Sequence, residues 1–195
     1  MTETDLPAAR KAMIDSQLRT SGVNEPFVLA RMAAVAREDF VPVAARPIAY
    51  IDRAVPLGGG AFLAAPLVHG RMLAEARPAL ADTALVVENG SGYLAELLRP
   101  LVGKLDAIPA NEAAQAKRGR KTYSLMLVDG AVEQLPEALV ARLEDNGRIV
   151  TGVVERGVTR LATGRKVAGT VALQALADIG MPVLHAFDRP KEWSF

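Results

Sequence analysis

Cysteine is missing from this 195-residue chain, which removes disulfides, thiolate metal sites, redox relays and a cysteine nucleophile at once. Imidazole is nearly as scarce: His69 and His185 are the only two, far apart and without a second histidine at helical spacing, so no metal site is expected. An excess of charge is lacking too. Lys+Arg number 23 against 22 Asp+Glu, a formal charge of +1, which removes the basic excess that nucleic acid or an anionic membrane would select as a partner. Long apolar runs are absent as well. The longest uncharged window, residues 54–70, holds four glycines and two prolines and would not sustain a spanning helix. The first residues, Met1-Thr2-Glu3-Thr4-Asp5, are acidic where a signal peptide is basic, so a cytoplasmic location is expected.

What is present is enough to fold. Half of the residues are hydrophobic, and the length suits one domain over 1–195, with a helical and loop lead-in over 1–60 and a core over 61–195. Apolar Ala8, Ala12, Ile14 and Leu18 predict a helix over 7–21, which Gly22 stops. Asn24 is placed to cap a second helix, with Glu25 and Pro26 in its first turn, running to about Arg37. Residues 40–60 read as loop or short strand.

From there helices and strands alternate. A helix is expected over 66–76, an unbroken apolar strand over 84–87, a helix over 93–101, a strand over 105–108, a helix over 111–117 and a strand over 124–128. A helix over 136–144 and a strand over 148–153 follow. Such alternation gives an α/β fold with a parallel sheet and crossover helices. Two last strand-like runs, 158–162 and 167–173, are separated by Thr163-Gly164-Arg165-Lys166 and predict an antiparallel hairpin at the sheet edge. The aromatic tail Lys191-Glu192-Trp193-Ser194-Phe195 is expected to dock.

The most informative string is Leu85-Val86-Val87-Glu88-Asn89-Gly90-Ser91-Gly92-Tyr93, a strand entering a glycine turn and then a helix. Glycines there let the backbone approach a ligand at the carboxyl ends of parallel strands, where such folds bind nucleotides. A tight turn without a ligand uses the same residues. Ser91 lacks a nucleophile-elbow context, so acyl-enzyme chemistry is not expected. Asp129, at the carboxyl end of a strand, either faces that crevice or serves the turn with Gly130. His69 reads as a packing or surface residue of its helix.

The Gly90-Ser91-Gly92-Tyr93 string resembles the nucleotide loop of the protein-L-isoaspartate O-methyltransferases, which use S-adenosylmethionine. Further segments resemble that family in the same order: Met13-Ile14-Asp15-Ser16-Gln17-Leu18-Arg19, Val35-Ala36-Arg37-Glu38-Asp39-Phe40-Val41-Pro42, Ala49-Tyr50-Ile51-Asp52 and Pro56-Leu57-Gly58-Gly59-Gly60. The likeness spans roughly residues 9–154. It implies a seven-stranded, Rossmann-like methyltransferase fold behind a helical lead-in, S-adenosylmethionine as cofactor, and repair methylation of an isoaspartyl carboxylate in a protein or peptide partner. Glu88, Asn89, Gly90, Ser91, Gly92 and Asp129 are the cofactor-binding candidates it implies; no catalytic residue is singled out.

The chain also departs from the family. With the loop aligned on Gly-Ser-Gly-Tyr, the family's acidic strand-end residue falls on Val86; in a frame shifted to Glu88-Asn89-Gly90-Ser91-Gly92, Glu88 takes that role, and both frames stay open. Pro109 stands where the family keeps a carboxylate for the ribose hydroxyls, with Asn111 or Glu112 as substitutes and Asp106 pointing away. Residues 109–122, 14 in all, leave room for one crossover helix, so one strand-helix unit is expected to be missing. Lys117-Arg118-Gly119-Arg120-Lys121 fills the shortened connection. Ala64 stands where a hydroxyl is expected on the substrate side, making 61–65 an apolar binding surface or core segment, with a homo-oligomer as one way to cover it. These departures make weak or absent cofactor binding the expectation, with a non-catalytic binding or scaffold protein, a pseudoenzyme, as the alternative to an active enzyme.

Overall fold

In the computed structural model, residues 5–115 and 121–190 are described. The strands β3 (Thr83–Glu88), β4 (Lys104–Pro109), β5 (Tyr123–Val132), β6 (Leu143–Glu155), β7 (Val158–Val167) and β8 (Thr170–Asp178) are preceded in the chain by the short hairpin β1 (Val55–Gly58) and β2 (Ala61–Leu63). The main sheet has the order β4-β3-β5-β6-β7-β8, with β4, β3, β5 and β6 parallel and the last two antiparallel. Among the described residues the main sheet has six strands where the resemblance implies seven, and it ends at β4.

An unbroken apolar strand makes sense only with cover on both faces. In β3, Ala84 and Val86 join one buried cluster with the helices α1 (Leu6–Met13), α2 (Pro26–Ala34), α3 (Pro66–Ala76) and α4 (Tyr93–Leu98). Leu85 and Val87 join another with Ala113 of α5 (Ala110–Ala114), Leu139 of α6 (Glu137–Val140) and Phe187 of a 3-10 turn over His185–Phe187. All four strand residues are fully buried, each worth about 1.5–3 kcal/mol for the larger side chains.

Several expected details shift. The first helix continues through a π-helical turn over Ile14–Leu18 and ends in turns before Gly22 (φ +81°), but its packed face is Met13 and Leu18, with Ala8 and Ala12 exposed. Glu25, not Asn24, occupies the cap position of α2, without a side-chain cap bond, and the helix stops at Ala34. α5 and α6 are shorter than their patterns, α6 because β6 already begins at Leu143. Thr163-Gly164-Arg165-Lys166 lies inside β7; the hairpin turns at Ala168 (φ +50°) and Gly169 (φ +83°), two left-handed residues that match the strand twist. Of the segment 61–65, Leu63, Ala64 and Ala65 are buried in the core, while Ala61 and Phe62 are half-buried. Residues 1–4, the basic run 117–120 and the tail 191–195 lie outside the described residues. No helix among the described residues is long and apolar enough to cross a membrane.

Candidate active site

β3 extends through Glu88, so the strand closes on a carboxylate and the turn to α4 is the four residues Asn89-Gly90-Ser91-Gly92. Glu88 stands opposite Pro109, the last residue of β4, and these two strand ends form the floor of a crevice of about 350 Å³. Gly59, Gly60 and Ala61 of the first hairpin wall one side, Asn111 another, and Val183–His185 a third. The last wall is held by the backbone, since Ala131 donates to Pro182 O at 2.8 Å and Leu184 donates to Ala131 O at 2.8 Å.

Of the sequence candidates, Glu88, Asn89 and Gly90 line this crevice together. Ser91 turns inward on the loop, its Oγ accepting from Tyr93 N at 3.2 Å, and Gly92 takes the left-handed conformation (φ +73°) at the cap of α4. Gly90 is held by packing: a Cβ there would lie 2.9 Å from Ala61 Cβ, and its φ of +88° disfavours other residues. Asn89 is 9% exposed, and among the described residues its Nδ2 has no hydrogen-bond partner. Burial, together with the nearby charge of Asp129, pushes the Glu88 carboxyl above its ordinary range, Arg99 only partly opposing them. Asn111 lines the crevice and Glu112 does not, while Asp106 faces away to accept from Tyr123 Oη at 2.6 Å and to pair with Lys121.

Asp129 is not among the residues lining the crevice; it is 1% exposed, with its Oδ1 2.9 Å from His69 Nε2. His69 is fully buried in α3, and its Nδ1 is 3.3 Å from Arg37 Nη1. Arginine can only donate, so Nδ1 carries the lone pair and Nε2 the hydrogen: a neutral imidazole bridges a cation and an anion. Arg37 is itself fully buried, donates to Ala49 O at 2.7 Å and to Ala64 O, and stacks 5.2 Å from the Tyr93 ring centroid. Burial brings its guanidinium down to about 10. Beside it Tyr50 donates to Glu38, which Arg10 also meets at 3.0 Å. Burial and Glu38 push the Tyr50 hydroxyl up to about 12.

This buried network was not visible as a site in the sequence. Arg37, His69 and Asp129 are 32 and 60 residues apart along the chain, and no local spacing joins them. Among the described residues no group of three or more His, Asp or Glu side chains is arranged to hold a metal.

The family model described as "Protein-L-isoaspartate(D-aspartate) O-methyltransferase (PCMT)" matches residues 8–116. A protein-L-isoaspartate O-methyltransferase of Koribacter versatilis is 31% identical over 193 residues, covering 87% of this chain and 87% of that protein. One of Roseiflexus castenholzii is 30% identical over 199 residues, covering 90% and 91%. Among solved structures, a putative protein-L-isoaspartate O-methyltransferase of Plasmodium falciparum in complex with S-adenosyl-L-homocysteine superposes with a TM-score of 0.73 at 19% identity, over 94% of this chain and all of that one, a likeness of fold.

Proposed function

The chain belongs to the protein-L-isoaspartate O-methyltransferase family, and from that premise we propose that its crevice binds S-adenosylmethionine and directs a methyl group to isoaspartyl carboxylates of damaged proteins or peptides. The observation that carries this reading is Glu88, a carboxylate raised by burial and by Asp129 at the crevice floor, where no Lys or Arg is among the described lining residues. A ligand bearing ammonium and sulfonium charges supplies what the site lacks. The unpartnered Asn89 Nδ2 beside it is a free donor for the same ligand.

When bound, the cofactor supplies an electrophilic methyl group on sulfur. The chain's contribution is placement and exclusion of water: Glu88 would hold the cationic end, and Asn111, two residues beyond Pro109, lines the crevice as a polar side chain. The buried Arg37-His69-Asp129 network fixes the first hairpin's exit, through Ala64 O, against β5. The whole acts as one domain over 1–195, in the cytoplasm, with a role in protein repair.

Loss of a hydrogen bond to a charged acceptor at Pro109 costs roughly 1.5–3 kcal/mol, one to two orders of magnitude in affinity, so cofactor binding is weak. Pro109 and the apolar Ala64 favour a second reading, a non-catalytic binding or scaffold protein on the same fold. The two part on methyl incorporation from labelled S-adenosylmethionine into an isoaspartyl peptide and its aspartyl counterpart. Transfer to the first alone supports the enzyme; cofactor binding with no transfer to either supports the scaffold.

A further inference from the structure

The two edges of the main sheet are treated differently by the sequence. β4 carries Lys104, Asp106 and Pro109, the charges and proline that keep an edge from pairing with foreign strands. β8 carries none of these from Thr170 to Ala177: the run is Thr-Val-Ala-Leu-Gln-Ala-Leu-Ala, closed by Asp178. Six of these eight residues are exposed, Leu176 at 40%, and among the described residues the outer edge of β8 pairs with nothing.

The hairpin geometry says which partner fits. A two-residue turn at Ala168-Gly169 makes Val167 and Thr170 the closing hydrogen-bonded pair. Alternation then directs the backbone groups of Thr170, Ala172 and Gln174 toward β7 and those of Val171, Leu173 and Ala175 outward. The regular run ends at Leu176, which the register shift opposite Leu161 and Ala162 leaves unmatched. The free ladder is therefore symmetric about Leu173. We propose that β8 is a self-pairing edge, through which two copies of this chain join antiparallel about a two-fold axis at Leu173.

In that register Leu173 meets Leu173 and Val171 meets Ala175, with roughly six backbone hydrogen bonds exchanged between copies. Val171 and Leu173 already pack against the cluster that holds Val87 and Val128, so pairing carries that apolar face across the axis. No charged side chain is brought opposite another. The inference is independent of the cofactor reading.

The cysteine-free background makes a direct test simple. Opposed residues of a hydrogen-bonded antiparallel pair have Cα atoms about 5.5 Å apart, within disulfide reach. Leu173→Cys is expected to yield a covalent dimer under mild oxidation, whereas Leu80→Cys, 75% exposed elsewhere, stays single. Light scattering of the wild type is expected to give twice 20.7 kDa at high micromolar concentration. Ala175→Pro removes an outward donor and returns the mass to one chain; if its melting temperature falls, Ala172→Lys, on an exposed edge position, makes the same comparison. A wild type of single mass at high concentration, or Leu173→Cys cross-linking no faster than Leu80→Cys, overturns the proposal.

Discussion

His69 donates through Nε2 to Asp129 Oδ1 at 2.9 Å while its Nδ1 accepts from Arg37, so one neutral ring keeps two buried charges apart and paired. His69→Ala leaves Asp129 without its donor and opens a cavity, and is expected to cost about 2–4 kcal/mol in urea unfolding. Asp129→Asn keeps an oxygen acceptor for Nε2–H but removes the charge opposing Arg37, and is expected to cost less than His69→Ala. Nitrogen NMR of the wild-type ring should show the Nε2–H tautomer; an Nδ1–H tautomer would contradict the contact with Arg37.

Glu88 has a pH signature with a fixed sign. Its carboxyl is raised in the folded chain, so the ionised form destabilises the fold above that raised range, and the penalty disappears below the ordinary glutamate value, where folded and unfolded states are both protonated. Glu88→Gln is therefore expected to raise the melting temperature of the ligand-free protein at neutral pH and to leave it unchanged in acid. The same substitution is expected to weaken S-adenosylmethionine binding by about 10- to 100-fold, since a charge-assisted bond is lost. Wild-type binding should weaken as the pH falls and Glu88 takes up its proton. Stability and affinity moving in the same direction would remove Glu88 from the site.

The two glycines of the loop separate packing from conformation. Gly90→Ala combines a left-handed φ with a 2.9 Å approach to Ala61 Cβ, whereas at Gly92 a Cβ meets nothing within 4 Å and only the φ of +73° opposes it. Gly92→Ala should cost about 1 kcal/mol in denaturant unfolding, and Gly90→Ala more, displacing the first hairpin. Equal losses would mean that Ala61 moves aside freely.

Elements defined by unbroken patterns were legible in the sequence. α3 fills residues 66–76 as expected, and the apolar run before Glu88 is a doubly covered strand. The hairpin turn was misplaced because Thr-Gly-Arg-Lys has turn chemistry, yet Gly164 is needed inside β7, where a Cβ would lie 2.7 Å from Ala172 O. Ala168, at φ +50°, carries no turn signal, since the conformation is imposed by the strands it joins. At the candidate site the local string Glu88-Asn89-Gly90 was readable, and β3 ends on Glu88. The buried network was not, because Arg37, His69 and Asp129 meet only through tertiary packing.

Pro109 is the reversible departure. It holds the cap position of α5 with φ −62° and ψ 149°, which an aspartate adopts readily and caps well. Pro109→Asp places a carboxylate opposite Glu88 at the crevice floor and is expected to tighten S-adenosylmethionine binding by about 10- to 100-fold. No change in calorimetric affinity, with the fold intact, would show that the ribose is not held at this strand end.

Calorimetric titration of the wild-type chain with S-adenosylmethionine tests the central claim most directly. Saturable binding with one ligand per chain, weakened by Glu88→Gln, is the result predicted by a cofactor crevice above Gly90. The absence of heat at high ligand concentration, from a chain shown to be folded by its melting transition, would contradict it.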